Sequence, residues 1–342
     1  MDIKSLNTDE LKNLLSDLSE PAYRAKQLFD WMHVKLATDY DQMTNLPELL
    51  RNKLKEAYPL TVLSVDRMQE SAHDGTRKYL FKLPDGNFVE SVFMRYKHGN
   101  SVCISSQVGC RMGCKFCAST LEGLTRNLEP SEMLEQIYAI TRDTGERVSN
   151  IVVMGIGEPM DNYDNLVKFY RLITDEAGLN ISGRNITVST CGIVPGIYKL
   201  ADEHLQLTLA LSLHAPTDEL RRTIMPIANE YSIEELIKAC RYYADTTGRR
   251  ISLEYSLIGG VNDSVKDAEG LSRIAHEIGA HINLIPVNAV KERGFKRGDR
   301  ASIEAFKNKL EKNANNVTIR REIGQDIDAS CGQLRHKRMT GN

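Results

Sequence analysis

The stretch SVCISSQVGCRMGCKFCAST, residues 101–120, carries four of the chain's seven cysteines. They are Cys103, Cys110, Cys114 and Cys117, and they fall within fifteen residues. The last three form the spacing C-x3-C-x2-C, in which neighbouring glycines let the backbone curl and present three thiolates from one loop. Clustered cysteines at such spacing indicate metal or redox chemistry.

Two kinds of metal site compete for these three thiols. A structural zinc site needs four ligands, usually drawn as two pairs, and would have to recruit Cys103 or His98 at an irregular spacing. A 4Fe-4S cluster held by three cysteines leaves one iron open for a second ligand, which suits a catalytic site. Unligated core cysteines are a third interpretation, but such residues are rarely spaced so closely. The spacing favours the cluster.

The composition predicts a globular protein with a sizeable core. The chain has 342 residues, 41% hydrophobic and 26% charged, which is enough for roughly two domains. No signal peptide is legible in MDIKSLNTDELK, and no apolar run approaches the roughly 20 residues that span a bilayer, so we expect a cytoplasmic protein with reduced thiols. The net charge of −2 predicts no general attraction to nucleic acid. Local basic runs that could contact RNA, each also typical of a solvated surface, are Lys291, Arg293, Lys296, Arg297 and Arg300, and RHKR at residues 335–338.

Hydrophobic periodicity divides the chain into four segments. Residues 1–60 predict a small all-helical domain, with Thr8 or Asp9 capping its first helix and Pro21 opening its second. Residues 61–100 predict a linking β-hairpin, in which KYLFKL and NFVESVFM flank the turn PDGN. Residues 101–300 predict the core. Residues 301–342 predict a helix, the strand NVTIRR and a polar tail that carries Cys331.

The core alternates short β-branched runs with amphipathic helical segments. The six runs are SVCISS, NIVVMG, NITVST, QLTLALSL, RISLEYSL and HINLIP. Repeated βα units predict parallel strands, and six of them predict an α/β fold with a partial TIM-type (β/α)6 barrel. A dinucleotide-binding fold is disfavoured because MGIGEPM lacks the third glycine of its fingerprint. In a barrel, the polar sequences GIGEP, STCG, SLHAP and PVN fall at the same mouth as the cysteine loop.

These motifs resemble a known family. CRMGCKFC resembles the CxxxCxΦC signature of radical S-adenosylmethionine (SAM) enzymes, with Phe116 as the aromatic residue, and GIGEP resembles their motif for the methionine amino group. Across the whole chain, VESVFM, CISSQVGC, VSTCGIVP, SLHAP, IGGVND, INLIPVN and DIDASCGQL occur in the order typical of RlmN/Cfr-type RNA adenine methyltransferases. The GEP loop and NLIPVN are most similar to members that methylate carbon 2 of adenosine in 23S rRNA, at the peptidyl transferase centre, and in tRNA, 3′ of the anticodon.

The resemblance implies a cofactor set, a residue set and partners. A 4Fe-4S cluster, with SAM on its fourth iron, is implied on Cys110, Cys114 and Cys117. The implied SAM contacts are Gly157, Glu158, Ser189, Ser212, Leu213, His214 and Asn288. Cys331 is implied to carry the methyl group as S-methylcysteine, Cys103 to release the RNA through a disulfide with Cys331, and Glu90 to accept the carbon-2 proton. Each cycle then uses two SAM molecules, and the implied partners are 23S rRNA, tRNA and a low-potential electron donor such as flavodoxin or ferredoxin.

The chemistry explains why such residues are needed. Carbon 2 of adenine lies between two ring nitrogens and is too electron-poor to attack the methyl group of SAM, so a radical route is required. A cysteine thiolate, by contrast, is a competent nucleophile. Taken alone, Cys103 is typical of a buried strand cysteine, Cys331 of a free tail thiol and Glu90 of a solvent-facing carboxylate. His214 could equally cap the helix after HAPTDEL.

Some positions depart from the family pattern or stay unassigned. Family members commonly carry Asn-Pro where this chain has Asn288 followed by alanine, so we expect a less rigid loop there. Ser330 stands where alanine is usual. Cys240 lies on a helical face and is expected in the core, whereas Cys191 lies near the mouth without a role. Three alternatives remain open: carbon-8 methylation of the same rRNA adenosine, a non-catalytic zinc-bearing RNA-binding module, and a radical enzyme that does not need Cys331.

Overall fold

The structure is a computed structural model that describes residues 2–287, 292–321, 323–324, 326–327 and 332–340. It begins with three helices, α1 (Thr8–Asp17), α2 (Arg24–His33) and α3 (Glu48–Ala57). The capping expectation for α1 was wrong: Asn7 caps it, because its side chain accepts the N–H groups of Asp9 and Glu10 while the Glu10 carboxylate returns to Asn7. Helix α2 begins three residues after Pro21, since that proline starts a turn closed by Arg24 N–H.

Three antiparallel strands join the helices to the core. They are β1 (Ser64–Glu70), β2 (Arg77–Lys82) and β3 (Phe88–Met94). The predicted hairpin is confirmed, because β2 and β3 pair across the PDGN turn. Strand β3 also pairs antiparallel with β4 (Asn100–Cys103), so the hairpin continues the sheet of the core.

The core is a run of parallel strands with crossover helices. After β4 come a small hairpin, β5 (Gln107–Gly109) and β6 (Leu124–Asn127), and then α4 (Pro130–Thr144), β7 (Val148–Val153), α5 (Tyr163–Ile173), β8 (Ile186–Thr190), α6 (Val194–Asp202), β9 (Thr208–Ser212), α7 (Asp218–Ile224), α8 (Ile233–Thr247), β10 (Ser252–Leu257), α9 (Val265–Glu277) and β11 (His281–Pro286). Strands β4, β7, β8, β9, β10 and β11 are neighbours in that order, all parallel. These six strands confirm the partial (β/α)6 barrel.

Capping and burial explain where the helices lie. Helix α8, for example, starts at a capping box between Ser232 and Glu235 and ends at Gly248, whose φ of +64° only glycine adopts readily. Its buried stripe includes Cys240, which is fully buried in the core as expected. No helix within the described residues is long and apolar enough to cross a membrane.

The C-terminal segment returns to the barrel. Helix α10 (Arg300–Lys312) is followed by β12 (Val317–Ile319), which pairs parallel with β11, and by α11 (Gln333–Thr340). Helix α11 packs against β3, which lies at the opposite end of the parallel strands from β12. The tail therefore closes over the region where the hairpin meets the core.

Candidate active site

One cavity of about 720 Å³ opens at the carboxyl ends of the parallel strands. Ten of the thirteen predicted site residues line it: Glu90, Cys103, Cys110, Cys114, Cys117, Gly157, Glu158, Ser189, Ser212 and His214. Leu213 does not line it, because its side chain is fully buried in the hydrophobic core. Asn288 and Cys331 lie outside the described residues.

The cysteine loop leaves β5 through a position that only glycine can occupy. Gly109 has a φ of +80°, and a Cβ there would lie 1.9 Å from the carbonyl oxygen of Gly123. The loop then folds on itself, since the Thr120 hydroxyl donates to the carbonyls of Cys114 and Cys117 at 3.1 and 3.0 Å. Arg293 donates to the same hydroxyl at 2.7 Å, so one residue of the first basic run braces this loop.

The three loop thiols form a soft donor set, in which Cys110 and Cys114 are buried and Cys117 is half-buried. Burial raises the pKa of Cys110 to about 12, and burial together with the neighbouring thiols raises the pKa of Cys114. In the described part of the chain, no three His, Cys, Asp or Glu side chains gather closely enough for a metal ion. Cluster cysteines bind different irons, so their sulfurs need not converge on one point. Thiolates that repel one another suit a group that binds all three, and the donor set therefore fits an iron–sulfur cluster.

Glu158 lies at the end of β7, in the GIGEP loop. Its backbone N–H donates to Gln107 at 2.7 Å, and its carboxylate accepts the N–H groups of Met160 at 3.1 Å and Cys191 at 2.7 Å. Burial raises the pKa of this carboxyl group. Gln107 also bonds Asp161, which ties the GIGEP loop to the segment before the cysteines. Sequence reasoning missed Gln107, although CISSQVGC contains it.

His214 is a neutral hydrogen-bond donor facing the cavity. Its Nδ1 accepts the N–H of Ser256 at 2.9 Å, and burial lowers its pKa to about 3, so the proton sits on Nε2. The capping alternative was wrong, because Thr217 caps α7. Beside His214, the hydroxyls of Ser189 and Ser212 lie 3.2 Å apart at the ends of β8 and β9. The ends of β8 and β9 thus offer three polar side chains to one ligand.

Arg221 holds two of these strand ends together, and no sequence pattern marked it. Its side chain is fully buried and donates to the carbonyl of Leu213 at 3.1 Å and to that of Cys191 at 2.6 Å. Both carbonyls belong to loops that follow strands of the barrel. The guanidinium therefore fixes the spacing of the STCG and SLHAP loops.

Cys103 on β4 and Glu90 on β3 both line the cavity, and Cys103 pairs with Val92, two residues along β3 from Glu90. Burial raises the pKa of the Cys103 thiol, an effect that the nearby charges of Arg320 and Lys78 oppose. The Glu90 carboxylate is 3% exposed and contacts Lys78 at 2.8 Å. Glu90 is thus neither solvent-facing nor unpartnered.

The basic runs turn out to make internal contacts. Arg335 is 2% exposed and pairs with Glu122 at 3.3 Å, and Arg338 pairs with Asp66 at 3.2 Å. Lys291 lies outside the described residues. Part of each predicted basic run therefore braces the protein rather than presenting a solvated surface.

The fold and the site together define a radical SAM enzyme, with a partial barrel whose mouth carries three loop cysteines. The family model described as "Radical SAM superfamily" matches residues 104–269. A second, described as "Ribosomal RNA large subunit methyltransferase N-terminal domain", matches residues 1–59. A radical SAM methyltransferase from Sphaerobacter thermophilus has a similar structure, with a TM-score of 0.93, 44% identity and coverage of 97% of this chain and 98% of that one.

Relatives that match nearly the whole chain show which group of radical SAM enzymes it belongs to. A protein of Lachnospira eligens named "Probable dual-specificity RNA methyltransferase RlmN" is 64% identical, covering 99% of this chain and 97% of that protein. A protein of the same name from Lachnoclostridium phytofermentans is 60% identical, covering 98% and 94%. The chain therefore belongs to the RlmN family and is a methyltransferase. This confirms the resemblance and rules out the non-catalytic zinc-bearing module.

Proposed function

We propose that this enzyme methylates carbon 2 of adenosine in 23S rRNA and in tRNA, with Cys331 as the methyl carrier. The relatives' name indicates two RNA substrates. One observation supports the carrier scheme above all: Gly332, the residue after Cys331, donates its N–H to Glu90 in the wall of the cavity that the other proposed residues line. Cys331 directly precedes Gly332 in the sequence.

The proposed cofactor sites follow from the donor sets. Cys110, Cys114 and Cys117 would hold a 4Fe-4S cluster. Gly157, Glu158, Ser189, Ser212, the backbone of Leu213, His214 and Asn288 would hold SAM. When bound, the cluster and SAM supply a methyl group in one half-reaction and a 5′-deoxyadenosyl radical in the other. Glu158 provides acceptor oxygens suited to an ammonium group, and His214 provides an Nε2–H donor.

The chain's own residues would perform the remaining steps. The Cys331 thiolate takes the methyl group by displacement, and S-adenosylhomocysteine leaves. One hydrogen atom is abstracted from the S-methyl group and would leave in 5′-deoxyadenosine. The resulting methylene radical on the Cys331 sulfur adds to carbon 2, which links the enzyme to RNA, and the adduct gives up one electron, which the cluster would accept. Glu90 accepts the carbon-2 proton, and the Cys103 thiolate attacks the Cys331 sulfur. The carbon–sulfur bond then breaks as the disulfide forms, and the released carbon takes up a proton to become the methyl group. The positive charges of Arg320 and Lys78 favour that thiolate.

The same proposal includes an electron source and a location. A low-potential donor such as flavodoxin or ferredoxin would reduce the cluster and the disulfide. A cytoplasmic location, where both RNA substrates and reduced thiols occur, remains a prediction from cysteine usage.

Product analysis tests the proposed function. The enzyme is reconstituted anaerobically with iron and sulfide and given SAM, a reductant and either 23S rRNA or tRNA. Digested RNA is then analysed by mass spectrometry against 2-methyladenosine and 8-methyladenosine standards. We expect 2-methyladenosine from both RNAs, and 8-methyladenosine as the main product would refute the assignment of carbon 2.

A further inference from the structure

Lys78 is a buried cation whose contact with Glu90 has no part in the chemistry proposed so far. It is fully buried on β2, and its ammonium lies 2.8 Å from Glu90. In the β2–β3 register Leu80 faces Glu90 and Lys78 faces Val92, so Lys78 and Glu90 are diagonal neighbours on one face. Val92 in turn pairs with Cys103 on β4. That face of the sheet therefore runs from Lys78 into the cavity.

The same carboxylate accepts hydrogen bonds from the tail. One Glu90 oxygen, Oε2, accepts the N–H of Gly332 at 2.8 Å as well as the ammonium of Lys78. The other, Oε1, accepts the N–H of Arg335 at 2.6 Å. These amides belong to the residue after Cys331 and to the first turn of α11, where backbone donors and the helix dipole favour a negative charge. Glu90 thus caps the tail helix from a strand 242 residues away in sequence.

A buried carboxylate needs a cation to act as a strong acceptor. Burial disfavours an ionised group unless a partner of opposite charge is buried with it, and amide donors bind an ionised acceptor more strongly than a neutral one. Lys78 is a buried cation in direct contact with Glu90. We propose that Lys78 is a positioning residue for the reaction, which through its ion pair with Glu90 docks the tail that carries Cys331 against the cavity.

The proposal rests on the proposed function, because docking of the tail serves the reaction only if Cys331 carries the methyl group. It gives Glu90 two successive tasks. While both oxygens accept tail amides, Glu90 holds Gly332, the neighbour of Cys331, at the cavity wall to which Glu90 itself belongs, as methyl transfer to that thiol requires. Its later task is to accept the carbon-2 proton, and the carboxylate has the capacity for both tasks because its two oxygens offer about four lone-pair sites. Lys78 stays paired with the carboxylate through both tasks.

Amide hydrogen exchange of the full-length protein tests docking without any RNA. We compare the wild type with Lys78→Met, with the conservative Lys78→Arg and with a matched control, Lys4→Met. Lys4 forms an equally buried pair with Glu135 at 2.7 Å, and that pair has no contact with the tail among the described residues. In Lys78→Met we expect residues 332–340 to exchange at least about tenfold faster, as for the loss of one hydrogen bond to a charged acceptor. Lys78→Arg restores most of the protection, and Lys4→Met lowers the melting temperature without a selective effect on the tail.

A second readout follows the first half-reaction. With SAM and reductant but no RNA, the rate at which Cys331 gains a methyl group falls in Lys78→Met by about the same factor as tail protection, while bound iron stays at the wild-type level. Wild-type exchange in the tail of Lys78→Met, or equal loss of tail protection in Lys4→Met, would overturn the proposal. Because neither readout uses RNA, a failed carbon-2 assignment is recognised separately.

A double-mutant cycle keeps the test decisive if Lys78→Met does not fold. Glu90→Gln retains an acceptor oxygen but needs no cation, so it should tolerate Lys78→Met in the same chain. If Lys78 acts through Glu90, the double variant exchanges its tail amides as Glu90→Gln alone does. A further, additive loss of tail protection in the double variant would contradict the proposed path.

Discussion

The cysteine loop and the contacts between Glu90 and the tail lie at the same cavity, but the first is built from residues close in sequence and the second from residues far apart. The loop places Cys110, Cys114 and Cys117 within eight residues, and its shape depends on nearby contacts such as those of Thr120. In contrast, Glu90 accepts hydrogen bonds from two tail amides that are 242 and 245 residues away in sequence. Donor chemistry can thus be concentrated in one short segment, whereas the groups that hold the tail are far apart in sequence.

The largest effect is expected at the loop. Cys114→Ala removes one of three proposed cluster ligands, so we expect loss of bound iron and of detectable RNA methylation. Iron analysis and the visible absorbance of the reconstituted protein measure the first, and product analysis the second. Cys240→Ala is the control, because Cys240 is a core residue, and it should keep both iron and activity. Full iron content in Cys114→Ala would contradict the proposed ligation.

A substitution in the tail should slow the methylation of Cys331 without changing the iron content. Gly332 has a φ of +78°, and a Cβ there would lie 2.8 Å from the backbone nitrogen of Ser119. Gly332→Ala therefore strains the docked tail by about 1–3 kcal/mol, which predicts a roughly tenfold to hundredfold slower methylation of Cys331 at unchanged iron content. Gly145→Ala, at a left-handed helix end with open space around it, carries backbone strain alone and should leave that rate unchanged. Equal rates for the two variants would refute the docking geometry.

There is a physical reason why the sequence predicts the cysteine loop better than the contacts between Glu90 and the tail. Cysteine spacing, βα periodicity and the PDGN turn between two alternating runs are local patterns, and they predicted the loop, the six parallel strands and the hairpin. Lys78, Gln107 and Arg221 escaped prediction because their partners are distant in sequence and only the folded chain brings them together. Even Glu90, which the resemblance picked out, shows its tail contacts only in three dimensions.

Arg221 is expected to have an intermediate effect, because it braces the STCG and SLHAP loops beside the proposed cluster ligands. Arg221→Met leaves the buried carbonyls of Leu213 and Cys191 without this donor, each at a cost of about 1–3 kcal/mol. We expect a lower melting temperature and a severalfold higher KM for SAM. Arg222→Met, at the exposed neighbouring position, serves as the control. An unchanged KM for SAM would show that the two loops hold their spacing without Arg221.

The smallest effect concerns the pH dependence of tail docking. Hydrogen bonding to Glu122, with a further contact to Glu292, raises the pKa of His336 above its ordinary 6.5, while Arg335 lies alongside. Because the docked form has the higher pKa, protonated His336 stabilises docking fully below about pH 6.5, and this contribution is lost as the pH rises through the raised value. The pair is near the surface, so the effect should stay within about 1 kcal/mol.

Chemical labelling of Cys331 between about pH 6 and about pH 8.5 can measure this dependence, after correction for the intrinsic reactivity of a free thiol. His336→Gln should flatten the corrected profile while Cys240 labelling stays unchanged. A corrected profile that keeps its slope in His336→Gln would assign the effect to another group.

The most direct test follows one methyl group through a single turnover. The enzyme receives SAM with an isotopically labelled methyl group, then RNA, and the reaction is quenched at intervals for mass spectrometry of the tail peptide and of the digested RNA. We predict that the label appears on Cys331 before it appears at carbon 2 of adenosine, and that Cys331→Ala yields no methylated RNA. Methylated RNA formed by Cys331→Ala at the wild-type rate would contradict the methyl-carrier account.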